Sequence, residues 1–175
     1  MPNTAVLWTG GKDCALVMHR AMRQGANITQ IVTFVPPDAC FHAHPLGVMQ
    51  AQVDAIGKPW RRPEIREPYF ESYREALTSL KRDYGVGAGA TGDSTLVDGC
   101  PNWIRQCAEG LDIEVLTPLW EEDRVSILRE LVTDGFEVMI SAVRPANMDE
   151  GWLGRIIDEA AISELESLEG VDPCG

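Results

Sequence analysis

The chain alternates between short apolar runs and longer segments in which apolar residues recur every three or four positions. A short apolar run bounded by turn residues predicts a buried strand, and the longer spacing predicts one face of a helix. The predicted strands cover residues 5–8, 28–35, 59–65, 86–91, 113–116 and 136–143. The predicted helices cover residues 14–22, 46–56, 69–80, 103–108, 125–132 and 156–168.

Strands that alternate with helices of this length are typical of βαβ units, which build a parallel sheet with helices on both faces. The sequence therefore predicts an α/β fold, with the charged stretch 59–65 at a sheet edge. Ligands of such sheets bind at the carboxyl ends of the strands. The loops after Trp8, Val35 and Thr91 are the candidates. The glycine- and aspartate-rich stretch 92–99 is the predicted boundary between two lobes.

The loop after the first strand carries the clearest chemical signal. Residues 9–14 read Thr-Gly-Gly-Lys-Asp-Cys and open a helical stripe. Glycines let the backbone turn tightly and approach a ligand closely. The unpaired N–H groups at the start of the helix attract an anion, and Lys12 adds a positive charge. The combination predicts a phosphate site, although a strand-to-helix turn without a ligand also uses adjacent glycines.

Two common phosphate loops do not fit these residues. A Walker loop has four residues between its glycines and a serine or threonine after its lysine, and the dinucleotide fingerprint needs three spaced glycines. Residues 9–14 instead resemble the Ser-Gly-Gly-x-Asp-Ser loop of the PP-loop ATP pyrophosphatases, which split ATP into AMP and pyrophosphate. Thr9 keeps the hydroxyl of the first serine, whereas Cys14 replaces the last serine with a weak donor.

Two further loops carry candidate ligand-binding groups. Gly92 and Asp93 follow the strand that is expected beside the first one. The Asp93 carboxylate suits a magnesium ion, a ribose or a helix N-terminus, and an ordinary turn is the alternative. His42 and His44 follow the second strand. No third ligand nearby completes a metal set, which leaves contact with a phosphate or carboxylate, or simple exposure to solvent.

Residues 149–155 place two carboxylates, two glycines, an aromatic ring and an arginine just before the last predicted helix. The planar guanidinium of Arg155 suits a carboxylate or a phosphate. A structural role is compatible with this. Asp149 and Glu150 would then favour a helix N-terminus, and Trp152 would anchor the core.

Composition narrows the class of protein. With 175 residues, 45% of them hydrophobic and 24% charged, the chain can form one substantial core and a small appended lobe. A net charge of −12 argues against binding a nucleic-acid backbone, which needs a basic surface. Since no membrane-length apolar run or signal peptide is visible and the five cysteines are scattered, a cytoplasmic protein is expected.

The motifs together resemble the diphthine–ammonia ligase family of PP-loop enzymes over nearly the whole chain. The resemblance rests on residues 9–14, 91–93, 117–120 (Thr-Pro-Leu-Trp), 149–155 and 170–175 (Gly-Val-Asp-Pro-Cys-Gly). The Pro-Leu-Trp and Leu-Gly-Arg segments are its most specific parts. Relatives continue after Pro-Cys-Gly with Glu-Asn-Gly-Glu-Phe-His-Thr, and residues 94–102 lack their basic, tyrosine-containing stretch. The acyl substrate is therefore less well defined than the nucleotide.

The resemblance implies a HUP-type (Rossmann-like) nucleotide-binding domain over residues 1–98 and a substrate-binding lobe over residues 99–175, shorter than in the family. It implies that ATP, with Mg²⁺, activates a carboxylate that is diphthine-like or belongs to another acid. Ammonia would capture the adenylate to give an amide, with AMP and pyrophosphate as the other products. A homodimer is compatible with the sequence, and neither a membrane nor a nucleic acid is an expected partner.

The resemblance also implies which residues form the site. Lys12 would neutralise the departing pyrophosphate, and Asp13 would orient the loop or the water shell of the metal; these two are the predicted catalytic residues. Backbone near residues 32–34 would meet the adenine edge. The predicted nucleotide-binding residues are Trp8, Thr9, Gly10, Gly11, Lys12, Asp13, Cys14, Thr33, Phe34, Gly92 and Asp93, with Asp93 also a magnesium ligand. The predicted substrate-binding residues are His42, His44, Asp149, Glu150, Trp152, Gly154 and Arg155.

Two other functions stay open on the sequence. A sulfur-transfer PP-loop enzyme would use a cysteine persulfide as its nucleophile, but a Cys-x-x-Cys pair is absent. A non-catalytic adenine-nucleotide-binding protein would explain Thr9 and Cys14 as signs of lost chemistry.

Overall fold

A computed structural model describes residues 1–39, 41, 43–96, 102–145 and 148–174. The chain divides into two compact units, Met1–Trp120 and Glu121–Gly175. Residues 102–120 thus belong to the first unit. The assignment of residues 1–98 to nucleotide binding and 99–175 to substrate binding concerns function and stays a prediction.

The first unit is built on a five-stranded sheet in the order β3-β2-β1-β4-β5, and all neighbouring strands are parallel. The strands are β1 (Asn3–Leu7), β2 (Asn27–Val32), β3 (Trp60–Arg61), β4 (Val86–Ala90) and β5 (Glu114–Leu116). The helices are α1 (Lys12–Arg23), α2 (Leu46–Ile56), α3 (Tyr69–Tyr84) and α4 (Trp103–Ala108). The predicted α/β, HUP-type parallel sheet is confirmed, and β3 lies at its edge as expected.

Alternation along β1 places its side chains in two cores. Ala5 and Leu7 pack in a cluster with Leu77 of α3 and Ile104 of α4. Val6 lies between them in sequence, is fully buried and faces the opposite side of the sheet. On that side α1 packs against β1, β2 and β4. This packing therefore holds α1 against the sheet, with the start of the helix near the carboxyl end of β1.

Strand order places a topological switch point in the middle of the sheet. The chain adds β2 and β3 on one side of β1, then returns through α3 to add β4 and β5 on the other. The loops that leave β1 and β4 consequently diverge to opposite faces and leave a crevice at their carboxyl ends, where nucleotides bind in such sheets.

The described part of the second unit contains two α-helices and, between them, the short 3-10 helix Glu150–Trp152. Helices α5 (Arg124–Thr133) and α6 (Glu159–Ser167) pack together, and Arg129 forms ion pairs with Glu159 and Glu166 across them. Asp158 caps α6, since its carboxylate accepts from the N–H of Ala161 at 2.7 Å. The last helix therefore begins at Glu159, three residues later than the predicted start.

The strand predicted over residues 136–143 is wrong as a regular element. Within this segment only one isolated antiparallel bridge forms, between Met139 and Ile156. Its partner is only the short stretch before α6, in which Gly154 turns the chain with a φ of +80°. A partner this short gives the alternating apolar pattern no ladder to join.

No helix in the described part of the chain is both long and apolar enough to cross a membrane.

Candidate functional site

The predicted phosphate loop leaves β1 and enters α1 through two glycines. Gly10 adopts a φ of +83°, which glycine tolerates best. Gly11 is the N-cap of α1, and no side chain caps the helix there. The first N–H groups of a helix of 12 residues therefore face the carboxyl end of the sheet without a side-chain acceptor. This geometry suits an anion.

Gly92 brings the loop after β4 against the start of α1. A Cβ built on Gly92 would lie 3.1 Å from the backbone nitrogen of Cys14 and 3.1 Å from the Cβ of Asp13. Only glycine allows two backbones to approach this closely. The structure therefore joins two of the sequence-predicted segments, 9–14 and 91–93, at the switch point.

Lys12 and Asp13 form an ion pair beside this junction, with 3.1 Å between Nζ and Oδ1. The Lys12 side chain is 14% exposed and that of Asp13 is 36% exposed. A lysine that is largely shielded from water exerts a stronger field on a nearby anion than an exposed one. The pair places one positive charge at the helix start, held by a neighbouring carboxylate.

Cys14 points inward. Its thiol donates to the carbonyl of Gly11 at 2.9 Å, and burial raises its pKa above the ordinary value. A neutral thiol bonded inside the first turn stabilises the loop, whereas the family serine would bring a stronger hydroxyl donor. The cysteine at position 14 thus has a structural role within the first turn of α1.

His44 covers the two glycines from the loop that precedes α2. A Cβ built on Gly10 would lie 2.9 Å from the Cβ of His44, and one built on Gly11 would lie 3.3 Å from its Cε1. Burial lowers the pKa of His44, and the charge of Lys12 lowers it further. The imidazole that lies against the phosphate loop is therefore favoured in its neutral form. His42, the other predicted histidine, lies outside the described residues, as do Cys40 and Cys100.

We expect His44 to make the folded state sensitive to acid. Because its pKa is lower in the folded chain than in the unfolded chain, the unfolded state binds the proton more readily. Its stabilising contribution is complete above about pH 6.5, the usual histidine value, and falls as pH drops below it. On acidification the melting temperature of His44→Gln should therefore fall by less than that of the wild type.

Thermal unfolding of the full chain at several pH values measures this difference. His19→Gln, a substitution within α1, is the matched control. Parallel pH profiles for His44→Gln and wild type would contradict the assignment.

Thr33 links β2 to the end of β1. Its hydroxyl donates to the carbonyl of Trp8 at 2.6 Å and accepts from the indole N–H of Trp60 at 2.9 Å. Only 3% of Thr33 is exposed, so its side chain supports the site from within. The Thr33 hydroxyl is occupied by these two hydrogen bonds. The predicted contact of Thr33 with a nucleotide stays a prediction and concerns its backbone.

Phe34 comes next and directs its peptide groups the other way. The N–H groups of Ile31, Thr33 and Val35 all donate toward the β3 side. By strand alternation the peptide of Phe34 therefore faces the β1 side, where β1 has already ended. This orientation suits the edge of an adenine base. The Phe34 ring packs on Tyr73 at 4.6 Å between centroids.

An apolar cavity of about 340 Å³ adjoins this position. Its lining residues are Pro36, Ile65, Tyr69, Tyr73 and Trp103. The Trp103 ring meets both Tyr73 and Phe70 edge to face, each at 6.0 Å. An open aromatic surface of this kind suits a flat ring.

Asp93 is held by its neighbours. Its carboxylate accepts from the hydroxyl of Thr91 at 3.0 Å and from the side-chain amide of Asn102. Asn102 is 6% exposed and also caps α4, because its side-chain oxygen accepts from the N–H of Arg105 at 2.8 Å. Asp93 thus ties the loop after β4 to the start of α4. Among the described residues no group of three His, Cys, Asp or Glu side chains could hold a metal ion.

The Thr-Pro-Leu-Trp segment is fixed by two arginines of the first unit. Arg20 donates to the carbonyl of Pro118 at 2.6 Å, and Arg105 donates to the hydroxyl of Thr117 at 3.0 Å. Arg20 belongs to α1 and Arg105 to α4. The segment therefore connects the two helices whose first turns carry candidate site residues.

The predicted residues of the second unit form a small network of their own. Arg155 donates two parallel hydrogen bonds of 2.6 Å to the carboxylate of Glu164, and its guanidinium lies 4.3 Å above the ring of Trp152. The pair lowers the pKa of Glu164 through this hydrogen bonding. Asp149 accepts from the N–H of Gly151 at 2.7 Å and caps the short 3-10 helix Glu150–Trp152. The fork of Arg155 does bind a carboxylate, and that carboxylate belongs to this chain.

Two buried or half-buried amides near the site were missed by the sequence analysis: Gln52 and Asn102. Asn102 carried a usable signal, since asparagine before an apolar helical stripe is a common N-cap. Gln52 carried a weaker one. It stands three residues after Met49 and four before Ile56, so it is a polar residue within the apolar stripe of α2.

Comparison with known proteins supplies the family. Residues 2–109 match the diphthamide synthase N-terminal domain, and residues 123–175 match the diphthamide synthase C-terminal domain. The diphthine–ammonia ligase of Rattus norvegicus is 25% identical over 201 aligned residues, which cover 98% of this chain and 74% of the relative. That of Homo sapiens is 23% identical with the same coverage.

A solved structure shares the fold. The predicted subunit of a tRNA methyltransferase from Methanocaldococcus jannaschii superposes with a TM-score of 0.54 at 14% identity, over 83% of this chain and 84% of that one. At this identity the likeness concerns the fold alone. The two domain matches together span most of the sequence and confirm the predicted resemblance and the enzyme class that it implies. The chain belongs to the diphthamide synthase family.

Proposed function

We propose that the protein is an ATP-dependent amide ligase, which adenylates a carboxylate and transfers the acyl group to ammonia. The observation that carries the proposal is the junction of the Gly10-Gly11 turn, Lys12 and Gly92 at the switch point of the parallel sheet. This junction offers backbone N–H groups and one shielded cation to a phosphate chain, in a chain of the diphthamide synthase family.

The residues suit two steps in sequence. First, a carboxylate oxygen of the acid attacks the α-phosphorus of ATP, and the bond from that phosphorus to pyrophosphate breaks. The helix N–H groups and Lys12 would neutralise the charge that builds on the departing pyrophosphate. Second, ammonia attacks the acyl carbon, AMP leaves with the bonding electrons, and the nitrogen loses a proton to give the amide. No general base is needed in the first step, because the attacking group is already ionised.

The nucleobase has a matching place in the same unit. The peptide of Phe34 would meet the adenine edge, and the aromatic cavity lined by Tyr73 and Trp103 would receive the ring face. Both lie at the carboxyl end of the sheet, as ligands of this fold require.

Magnesium fits the site in a limited way. Mg²⁺ in nucleotide enzymes is commonly held by one or two carboxylates together with phosphate oxygens and water. Asp93 and Asp13 are the carboxylates near the junction, and each already accepts a hydrogen bond or an ion pair. The bound ion would screen phosphate charge, and either carboxylate would need only one free oxygen lone pair to hold it or its water shell.

Diphthine is the first acid to consider, because the two relatives are named for diphthine and ammonia. The segment 149–155, with Arg155 and Trp152, is the proposed contact with the acid. Since Arg155 is paired with Glu164, an incoming carboxylate would have to compete for a guanidinium that is already occupied.

A pyrophosphate-release screen tests the proposal. The full chain is incubated with ATP, Mg²⁺ and ammonium against a panel of carboxylic acids that includes diphthine on a translation elongation factor. We expect acid-dependent formation of AMP and pyrophosphate in equal amounts. With an acid labelled in its carboxylate by ¹⁸O, one labelled oxygen should appear in AMP. Formation of ADP and phosphate, or AMP without label, would refute adenylation of the acid.

Two of the three cysteines that the structure describes are poorly placed for sulfur transfer; the third, Cys174, is half-buried, and its thiol donates to the carbonyl of Arg124 at 3.2 Å. Cys14 and Cys107 are buried, and burial raises the pKa of both. A persulfide carrier needs an accessible thiolate. Full activity after alkylation of all cysteines would exclude this alternative.

A further inference from the structure

We infer that Gln52 is a positioning residue for the phosphate loop: it orients the Gly10–Gly11 peptide so that the N–H of Gly11 faces the anion. Gln52 lies on α2, outside the loop and outside the sequence motifs. Its side-chain amide donates to the carbonyl of Gly10 at 3.0 Å. Its side-chain oxygen accepts from the indole N–H of Trp8 at 3.0 Å.

The two bonds form a closed clamp around the glycine turn. Trp8 stands at the end of β1 and is 5% exposed, so its indole is a fixed anchor. The helix that carries Gln52 is fixed by Met49 and Val53, both buried. The side-chain oxygen of Gln52 also lies 3.2 Å from the position that a Cβ on Gly10 would take. Gln52 is therefore held at both ends and closely packed on the turn.

Peptide geometry gives the clamp its consequence. In a planar trans peptide the carbonyl of one residue and the N–H of the next point in opposite directions. Gln52 draws the Gly10 carbonyl toward α2, so the N–H of Gly11 points away from α2. Between two glycines no side chain resists rotation of this peptide, and the hydrogen bond from Gln52 supplies the missing restraint.

The inference rests on the proposed function, since it presumes that the loop binds phosphate. It adds a specific claim: an amide on a different helix sets the direction of one loop N–H. Loss of the hydrogen bond to Gly10 should then weaken phosphate binding directly. Loss of the bond to Trp8 should weaken it only by loosening the side chain of Gln52.

Uncharged substitutions separate the two bonds. Gln52→Leu removes both, whereas Trp8→Phe removes only the bond to the indole. Affinity for inorganic pyrophosphate is measured by calorimetry on the full chain. We expect Gln52→Leu to bind about three- to tenfold more weakly than Trp8→Phe, the range that one net hydrogen bond supplies. Gln50→Leu is the matched control on α2, since Gln50 bonds only the exposed Asp54, and it should bind as the wild type does.

A spectroscopic readout separates positioning from general loosening. In the wild type, saturating pyrophosphate should shift the amide resonance of Gly11 downfield. In Gln52→Leu, even at saturation, that shift should shrink while the shift at Asp13 is kept. If Gln52→Leu does not fold, Gln52→Met, which keeps the chain length without the amide, takes its place.

The outcomes are distinct. Equal affinity in Gln52→Leu and Trp8→Phe, or an unchanged Gly11 shift, would overturn the role of Gln52. Absence of pyrophosphate binding in the wild type would instead overturn the proposed function.

Discussion

Replacing Lys12 by alanine is expected to reduce ATP-dependent pyrophosphate release by about 10²- to 10³-fold, the usual loss when one preorganised charge-stabilising donor is removed. The reason is local. Lys12 supplies the positive charge at the start of α1, and its side chain is only 14% exposed. After its removal, water would stabilise the phosphate charge poorly at this shielded position. Asp13, its ion-pair partner, would be left next to the departing phosphates and would add repulsion.

Steady-state pyrophosphate release and the unfolding free energy are both measured for this variant. The fold should persist, because the Asp13 carboxylate is 36% exposed and water can solvate it once Lys12 is removed. Lys58→Ala is the matched control, because Lys58 is an exposed lysine after α2 and outside the site; its turnover should equal that of the wild type. Undiminished turnover in Lys12→Ala would remove the loop from the mechanism.

Hydrophobic periodicity and turn residues predicted the helices and strands of the first unit, because each element carries the pattern of its type within its own residues. Gly57 and Gly85 end α2 and α3 in the left-handed conformation, where glycine is favoured. The stretch 136–143 shows where such rules stop. Its side chains alternate as in a strand, but strand formation depends on a partner, and the partner here is a short turn.

The site divides in the same way. Residues 9–14 and 91–93 can be recognised in the sequence because each combines glycines and charged residues in a short span. The strand order then brings the two segments together. Gln52 and His44 act through contacts with residues far away in sequence, and Asn102 acts through Asp93, nine residues before it. Two of these three were not singled out, because a lone amide has many roles and only its partners distinguish them.

The hydrogen-bond partners of the Trp8 and Thr33 side chains could not be read from the sequence. Both residues are predicted nucleotide contacts, a prediction that these bonds leave open, and both side chains hold the loop: Trp8 bonds Gln52, and Thr33 bonds the carbonyl of Trp8. We propose that backbone N–H groups and Lys12 face the phosphates, while these side-chain hydrogen bonds hold the loop in place.

Gly92→Ala is expected to destabilise the chain and weaken pyrophosphate binding together. An added methyl group would meet backbone on the far side, at 3.1 Å from the nitrogen of Cys14 and 3.2 Å from the carbonyl carbon of Asp13. Backbone in the first turn of a helix yields less easily than a flexible side chain, so the start of α1 must shift. Overpacking of this kind costs about 1–3 kcal/mol. The same shift would move the N–H groups that are proposed to hold the phosphates.

Gly89→Ala provides the matched control within β4. A Cβ on Gly89 meets nothing within 4 Å, and its φ is not in the left-handed range, so alanine there should be neutral or stabilising by about 0.4–1 kcal/mol through the unfolded state. Denaturant unfolding and pyrophosphate calorimetry on both variants make the comparison. Equal behaviour of the two would mean that the close approach of Gly92 to α1 has no energetic consequence. Loss of stability in Gly92→Ala with pyrophosphate affinity unchanged would separate the junction from the anion site, because the helix start could then move without disturbing the ligand.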